Sequence, residues 1–281
     1  VTGTGNEGDA GGHSLSVIEN VGDSEVIELN ISEEDKNIIL DIWVNVPDVV
    51  DVNVISPSGE ESGVLSTSGS IEFAEEISFV LEETHIFYTE FVPEVFTGDQ
   101  LIRIAMHNIR PGIWKVRTTL EKGKNSTINA WIPQRALINP KTRFLNSDIY
   151  GTITIPGDST ETITAAGYDQ DNFNILGYSG VAFRDDFVDR IDIAAGSKNA
   201  VAIGLNNKIN IINGTSVAAA MAAGTCALLM EWGIVRRNYP YMSTQSIKTF
   251  IARGTQKRKG DIYPNAQWGY GILNLYDIFS N

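Results

Sequence analysis

Ser216 stands in the stretch "IINGTSVAAAMAAGTCALLMEWG", between a Gly-Thr turn and an alanine-rich run of helical length. A serine in that place can serve in two ways. As a cap, its hydroxyl satisfies one of the backbone N–H groups that every helix start leaves unbonded. As a nucleophile, it draws on the same groups, because free N–H donors and the positive end of the helix dipole stabilise a developing oxyanion. A second polar residue, Asn6, lies in the glycine-rich opening "VTGTGNEGDAGGH". Taken alone it is a turn residue, since asparagine tolerates left-handed backbone angles.

The element that must hold Ser216 is legible from composition. Ala218, Ala219, Ala220, Ala222, Ala223 and Gly224 leave little side-chain bulk on the first turns, and Leu228, Leu229, Met230 and Trp232 follow. A helix that is apolar nearly all round is expected in a core. Its apolar length approaches that of a membrane span, but alanine is weakly hydrophobic and Glu231 ends the run, so a core helix is the preferred reading. Further on, "STQSIKTFIARGTQ" predicts a surface helix, with a serine cap, Ile247, Phe250 and Ile251 at helical spacing, and a stop at Gly254. "GTITIPGDSTETITAAGYD" predicts a Pro-Gly turn followed by a strand, "FNILGYSG" a loop, Asp192–Gly196 a turn, and Lys208–Ile212 a strand entering the Ser216 turn.

Between Ser14 and about Pro140 the texture is that of strands. "VIELNI", "NIILDIWVNV", "VDVNVI", "SIEFAEEISFVL", "HIFYTEF", "LIRIAM", "WKVRTTL" and "STINAWI" are short, rich in β-branched and aromatic residues, and largely alternating. Turns such as "SPSG" (Ser56–Gly59) and "RPGIW" (Arg110–Trp114) separate them. About eight strands at this spacing predict a double-sheet antiparallel domain, a jelly roll. The net charge of −14 is concentrated here: Ser14–Gln100 holds 20 Asp or Glu and one basic residue, Lys36. Such a segment repels nucleic acid and anionic membrane surfaces, so neither is expected as a partner. Oxygen ligands are plentiful, but no run has the spacing of a calcium loop, and no metal or other cofactor is expected. Cys226, the one cysteine, allows no internal disulfide and reads as a small core residue. His13, His85 and His107 are assigned structural roles.

Taken with the serine motif, the Asn6 loop resembles the subtilisin-like serine proteases, or subtilases. The family's oxyanion loop "A-G-N-x-G" is matched by "TGNEG" (Thr4–Gly8), and its nucleophile motif "N-G-T-S-x-A-x-P" by "NGTSVAAA" (Asn213–Ala220). Three further landmarks keep the family's order: "ETITAAGYD", "DIAAG" and the ending "WGYGILNLYDIF". Where the family has a proline four residues after the serine and a histidine next to it, this chain has Ala220 and Met221, and "A-P-G" is reduced to Ala195-Gly196. Losing a proline from a first helical turn removes a rigid device but leaves a better helix former, so tolerance is expected.

The resemblance implies a subtilisin-like α/β catalytic fold, here its C-terminal part only, interrupted by the all-β jelly roll. It sets boundaries at 1–13 for a core segment with the oxyanion loop, 14–140 for the insert, and 141–281 for the part bearing the serine. Inserted jelly rolls are a feature of clostridial subtilases, including the germination-specific proteases of spore formers, which favours an extracellular or spore-associated setting. By resemblance, Ser216 is the nucleophile, the Asn6 amide and the Ser216 N–H form the oxyanion hole, and Thr215 contributes to it as a lesser member. Gly3, Thr4 and Gly5 match the strand edge that walls the primary specificity pocket, where missing side chains leave room for a protein or peptide substrate bound as an added strand. Subtilases order their triad Asp, His, Ser, so the acid and the base are expected upstream of Val1, in a missing N-terminal half that completes the catalytic domain. By itself the chain is expected to be inactive. The competing readings are a pseudoprotease, or a scaffold whose jelly roll recognises protein or glycan.

Overall fold

A computed structural model describes residues 1–65 and 72–280. The chain divides into two compact units: Val1–Asp9 with Ile149–Asn281, and Ala10–Asp148. Strand β1 (Thr2–Gly3) belongs to the first. The second follows with β2 (His13–Ile18), β3 (Ser24–Ile31), β4 (Asn37–Val44), β5 (Val49–Ile55), β6 (Glu72–Phe79), β7 (Thr84–Phe91), β8 (Gln100–His107), β9 (Gly112–Lys122), β10 (Ser126–Trp131) and β11 (Arg143–Phe144).

The second unit is two antiparallel sheets around one apolar core. One sheet runs β2-β10-β4-β8-β7-β6, the other β11-β3-β9-β5. Alternation decides which face goes inward: along β7, Thr84, Ile86, Tyr88 and Glu90 are buried while His85, Phe87 and Thr89 face outward. The interior side chains of both sheets form a single cluster, from Leu40, Ile42 and Ile104 to Val52, Val116 and Trp114. Trp114 is fully buried, meets Phe79 edge-on at 5.2 Å, and donates its indole N–H to the Arg110 carbonyl at 2.9 Å. That bond satisfies the ring's one polar group.

The eight sequence-predicted strands are β3 to β10; residues 70–71, where "SIEFAEEISFVL" begins, lie outside the described residues. The sheets also take in chain beyond 14–140, because His13 pairs with Trp131 in β2·β10 and Arg143–Phe144 pairs with Leu29–Asn30 of β3. Entry and exit of the unit are bonded to each other. The Gly11 carbonyl accepts the Phe144 N–H at 2.9 Å, the His13 carbonyl accepts the Asp148 N–H at 2.9 Å, and Ser14 Oγ donates to the Asn146 carbonyl at 3.2 Å.

A polar link crosses this core. Gln100, on β8, behaves as a piece of backbone: its Oε1 accepts the Val50 N–H and its Nε2 donates to the Val50 carbonyl, both at 2.8 Å. The same Nε2 donates to Glu90 Oε1 at 2.6 Å, and Tyr88 donates to Glu90 Oε2 at 2.5 Å. Close by, burial and the charges of Glu121 and Glu90 push the Asp51 carboxyl up to about 6.

The first unit continues with β12 (Thr164–Asp169), β13 (Asn174–Ile175), β14 (Ile193–Gly196), β15 (Ala200–Ile203), β16 (Ile209–Ile212), α1 (Thr215–Met230), α2 (Thr244–Arg253) and α3 (Leu275–Ser280). β12 is its axis. β1 and β14 pair with it in parallel, β13 antiparallel, and β15 and β16 form a separate hairpin. Asp192–Gly196 is therefore not the expected turn; residues 193–196 are a strand. Parallel strands are covered on both faces and do not alternate, and the small residues Ala194, Ala195 and Gly196 hide such a strand behind turn-like composition.

The expectation for α1 also needs correction, since only one face of the helix is buried. Val217, Ala218, Ala222, Cys226 and Leu229 are covered, and the last four pack in a cluster with Ala165, Ile193 and Ala195 of the sheet. Met221, Leu228 and Met230 are exposed. A helix apolar on all sides needs cover on all sides, and this short sheet covers one. Thr215–Val235 is long and apolar enough to cross a membrane by length and composition, and its packing against β12 and β14 is that of a core helix. α2 is capped as its sequence predicts: Ser243 Oγ accepts the Ser246 N–H, Ser246 Oγ answers to the Ser243 N–H, and Gly254 follows the last turn.

A buried ion pair fixes α2 beneath the sheet. Lys248 Nζ lies 3.1 Å from Asp192 Oδ1 and donates to the Thr160 carbonyl at 2.8 Å, while Asp192 Oδ2 accepts the Thr164 N–H at 2.7 Å. Burial nonetheless raises the Asp192 carboxyl above the usual carboxylate range. Lys248→Met leaves that carboxylate buried without its cation, and is expected to destabilise this unit by roughly 3–5 kcal/mol, with Asp192→Leu added in the same chain recovering most of the loss. Urea unfolding of the two variants measures both numbers; equal losses would show that the pair is not coupled. For the second unit the expectation concerns pH. A carboxyl whose folded value lies above its unfolded one opposes folding when ionised, so Asp51 costs stability above about pH 6 and nothing once it is protonated in both states. Asp51→Asn should stabilise the unit by about 1 kcal/mol at pH 8, after allowance for solvent screening, with the gain fading toward pH 4.

Candidate active site

The site is built at the carboxyl ends of parallel strands, where open α/β sheets receive ligands. β1 is only two residues long, yet its register is firm: the Thr2 N–H bonds to the Ile163 carbonyl at 2.8 Å and the Thr4 N–H to the Ala165 carbonyl at 3.1 Å. Thr4 is fully buried with its hydroxyl 3.1 Å from Ser179 Oγ. The strand then releases Asn6 directly beside the start of α1.

That start is defined by the hairpin and by Gly214. β16 delivers the chain to Gly214, whose φ of 124° lies in the region that favours glycine, and which is the residue preceding the helix. Ser216 is therefore the second helical residue and not the cap. Its side chain is exposed.

The amide of Asn6 is oriented by Thr215. Asn6 Oδ1 accepts both the Thr215 N–H at 3.1 Å and the Thr215 hydroxyl at 3.2 Å. A backbone N–H can only donate, so the atom facing it is the amide oxygen, and Nδ2 is turned the other way. At the mouth of the helix the donors are thus divided. The Thr215 N–H is used by Asn6 and the Val217 N–H by the Gly214 carbonyl at 2.9 Å. Asn6 Nδ2 and the Ser216 N–H have no acceptor among the described residues. The Thr215 side chain is buried and its hydroxyl is spent on Asn6.

Gly3 and Gly5 are both closely approached by other atoms of this chain. A Cβ on Gly3 would come within 2.7 Å of the Thr215 carbonyl oxygen, and one on Gly5, whose φ is +86°, within 2.3 Å of Thr154 Oγ1. Both missing side chains make room for this chain's own atoms: β1 lies flush against the first turn of α1, and Thr154 fills the space over Gly5. Thr154 is bonded there through its N–H to the Thr4 carbonyl at 3.1 Å. Nothing in the pattern "TITIPG" singles Thr154 out, because its neighbour lies far away in sequence.

The loops around this mouth are tied by polar groups. Lys198 lies 2.5 Å from Asp169, joining the exits of β12 and β14, and that contact holds the Asp169 carboxyl below its usual range and the Lys198 ammonium above it. The Asn199 N–H donates to Asn213 Oδ1 at 2.7 Å, fastening the approach to Gly214. Burial pushes the Cys226 thiol up, away from the reactive thiolate. The three histidines belong to the second unit and bond to its own residues: His13 to Asn129, His85 to Ser78, and His107 to Asn37. Among the described residues no cluster of His, Cys, Asp and Glu is arranged to hold a metal.

Known proteins can now be set beside this geometry. Residues 145–271 match the subtilase family. The structure of the CspB protease of Clostridium perfringens is 29% identical and superposes with a TM-score of 0.88 over 99% of this chain and 58% of that protein. The chain thus spans a little over half the length of that relative. Two further proteases align over smaller parts. Prenylagaramide maturation protease PagA is 20% identical over 46% of this chain and 45% of its own, with a TM-score of 0.38. Sphericase is 21% identical over 44% and 43%, with a TM-score of 0.37. A comparison with curated protein sequences returns no match. Residues 145–271 thus match the subtilase family, in a chain that is similar to a clostridial protease along nearly its whole length.

Proposed function

We propose that the chain is the nucleophile-bearing part of a serine endopeptidase whose Asp and His lie in an upstream half, with residues 10–148 as an inserted jelly roll. The observation that carries this reading is the pair of hydrogen bonds from Thr215 to Asn6 Oδ1, which turns Asn6 Nδ2 away from Thr215 as an unused donor beside the start of the helix that bears Ser216. In the completed site, Ser216 Oγ attacks the scissile carbonyl and gives its proton to the histidine. The carbonyl oxygen, now negative, is received by Nδ2 and the Ser216 N–H. Thr215 acts through Asn6, holding its amide in the donating orientation.

Exposed apolar surface supports an upstream half as the covering partner. On α1, Met221 and Leu228 are exposed along one flank and Met230 on another, and one face of the β15–β16 hairpin carries Val201, Ile203, Ile209 and Ile211. Apolar groups of this size left exposed on a core helix call for further protein. The substrate is a protein or peptide bound in extended form, with backbone bonds supplying affinity.

In the protein that contains the Asp and His, Asn6→Ala should lower turnover by roughly 10²–10³ while leaving substrate binding nearly unchanged, the size of effect seen when a subtilisin loses its oxyanion-hole asparagine. Steady-state kinetics on a peptide ester separate the two constants, and an unaltered turnover would reduce Asn6 to a turn residue. The 281-residue chain alone, lacking a base for Ser216, should resist labelling by a fluorophosphonate. Rapid labelling of the isolated chain would instead point to a base within it.

A further inference from the structure

We infer that Tyr178 is a positioning residue for the proposed hydrolysis, its phenol holding the turn before Ser216 in register with the Asn6 loop; this rests on the reading of Ser216 and Asn6 given above. Tyr178 lies in the loop between β13 and β14 and touches both halves of the site. Its backbone faces the Asn6 loop: the Tyr178 carbonyl accepts the Gly8 N–H at 3.0 Å, and two residues on, the Gly180 N–H donates to the Gly5 carbonyl at 3.1 Å. These bonds bracket Asn6 on either side. The approach is so close that a Cβ on Gly8 would meet the Ser179 carbonyl oxygen at 2.3 Å. Ser179, in turn, is buried and its Oγ accepts the Gly167 N–H at 3.0 Å, which fixes the loop to β12.

The side chain of Tyr178 reaches the other way. Its hydroxyl accepts the Gly214 N–H at 3.1 Å and donates to the Ser197 carbonyl at 3.2 Å, while the Gly214 N–H is shared with that same carbonyl at 3.1 Å. The phenol therefore closes a three-cornered arrangement that joins the end of β14 to the residue preceding α1. This matters because Gly214 caps the helix with no side chain and holds a φ of 124°. Glycine is free to leave that conformation, and what keeps it there is the bonding of its N–H. A shift at Gly214 moves Thr215, and with Thr215 the two bonds that aim the Asn6 amide. One residue thus sets the distance between nucleophile and oxyanion donor without touching the reacting atoms. Tyr178→Phe keeps the ring and its backbone bonds and removes only the hydroxyl.

The test compares wild type, Y178F and S216A in the protein that carries the Asp and His, by peptide hydrolysis and by amide hydrogen exchange. Y178F is expected to lower kcat about tenfold, the worth of one well-placed hydrogen bond, with KM within twofold of wild type. Exchange across 213–215 should quicken by a similar factor, and the thermal midpoint should stay within a few degrees. An unchanged kcat, or unchanged exchange at 213–215, overturns the inference. So does a fall in kcat that comes with general loss of protection, since the phenol would then be a stability element only. If wild type and S216A hydrolyse alike, or neither does, it is the hydrolase reading that fails, and exchange alone then decides whether Tyr178 holds the turn.

Discussion

The bonds from Thr215 to Asn6 Oδ1 join residues 209 positions apart, and the rest of the site depends on them. Each of the two partners is placed by a separate part of the first unit. Asn6 is carried by a strand of two residues that has no independent stability and is held by its parallel pairing to β12, its packing against α1 and the bonds of Thr4 and Gly5 to Thr154 and Gly180. Thr215 is carried by the first turn of α1, which rests on β12 and β14 through Ala218 and Ala222. Small residues make this possible. A larger residue at Gly3 would push β1 off the helix start, and with it the amide whose direction matters.

The two units reach order by different physics. In residues 10–148, alternating strands bury one face each in a common core, with a polar line through Tyr88, Glu90 and Gln100 whose bonds are made inside the core. Buried polar groups that are bonded in this way fix the register of the sheets relative to each other. The first unit has a smaller sheet and compensates with specific ties: Asp192 to Lys248 below it, Asp169 to Lys198 at its carboxyl end. Its helix keeps one face packed and one face open, and that imbalance distinguishes it from the self-contained sandwich.

Much of the fold was legible in the sequence because its signals are local. Period-two alternation marked β3 to β10, and the Ser243 cap with Gly254 delimited α2. Residues 193–196 read as a turn in the sequence because a parallel strand built from alanine and glycine has neither alternation nor bulk. α1 was expected to be covered all round, since composition tells how apolar a helix is and not how much sheet is present to meet it. For the proposed site, Ser216, Asn6 and Thr215 stand out by their motifs. The contacts of Gly3 and Gly5 with Thr215 and Thr154, and the reach of Tyr178 to Gly214, join segments more than a hundred or some tens of residues apart. Such contacts leave no trace in local spacing.

The joined ends of the sandwich have a further meaning for the unit that hosts it. Gly11 is bonded to Phe144 and His13 to Asp148, so the two ends of this unit lie close together. For the host, a folded excursion of this kind costs little more entropy than a short turn between the same two residues, because the long path between them is already fixed. Loop length as counted along the chain and loop length as felt by the fold are therefore separate quantities here. A lineage could lengthen, exchange or discard what lies between Gly11 and Phe144 while the spacing that delivers Asn6 to Thr215 stays the same.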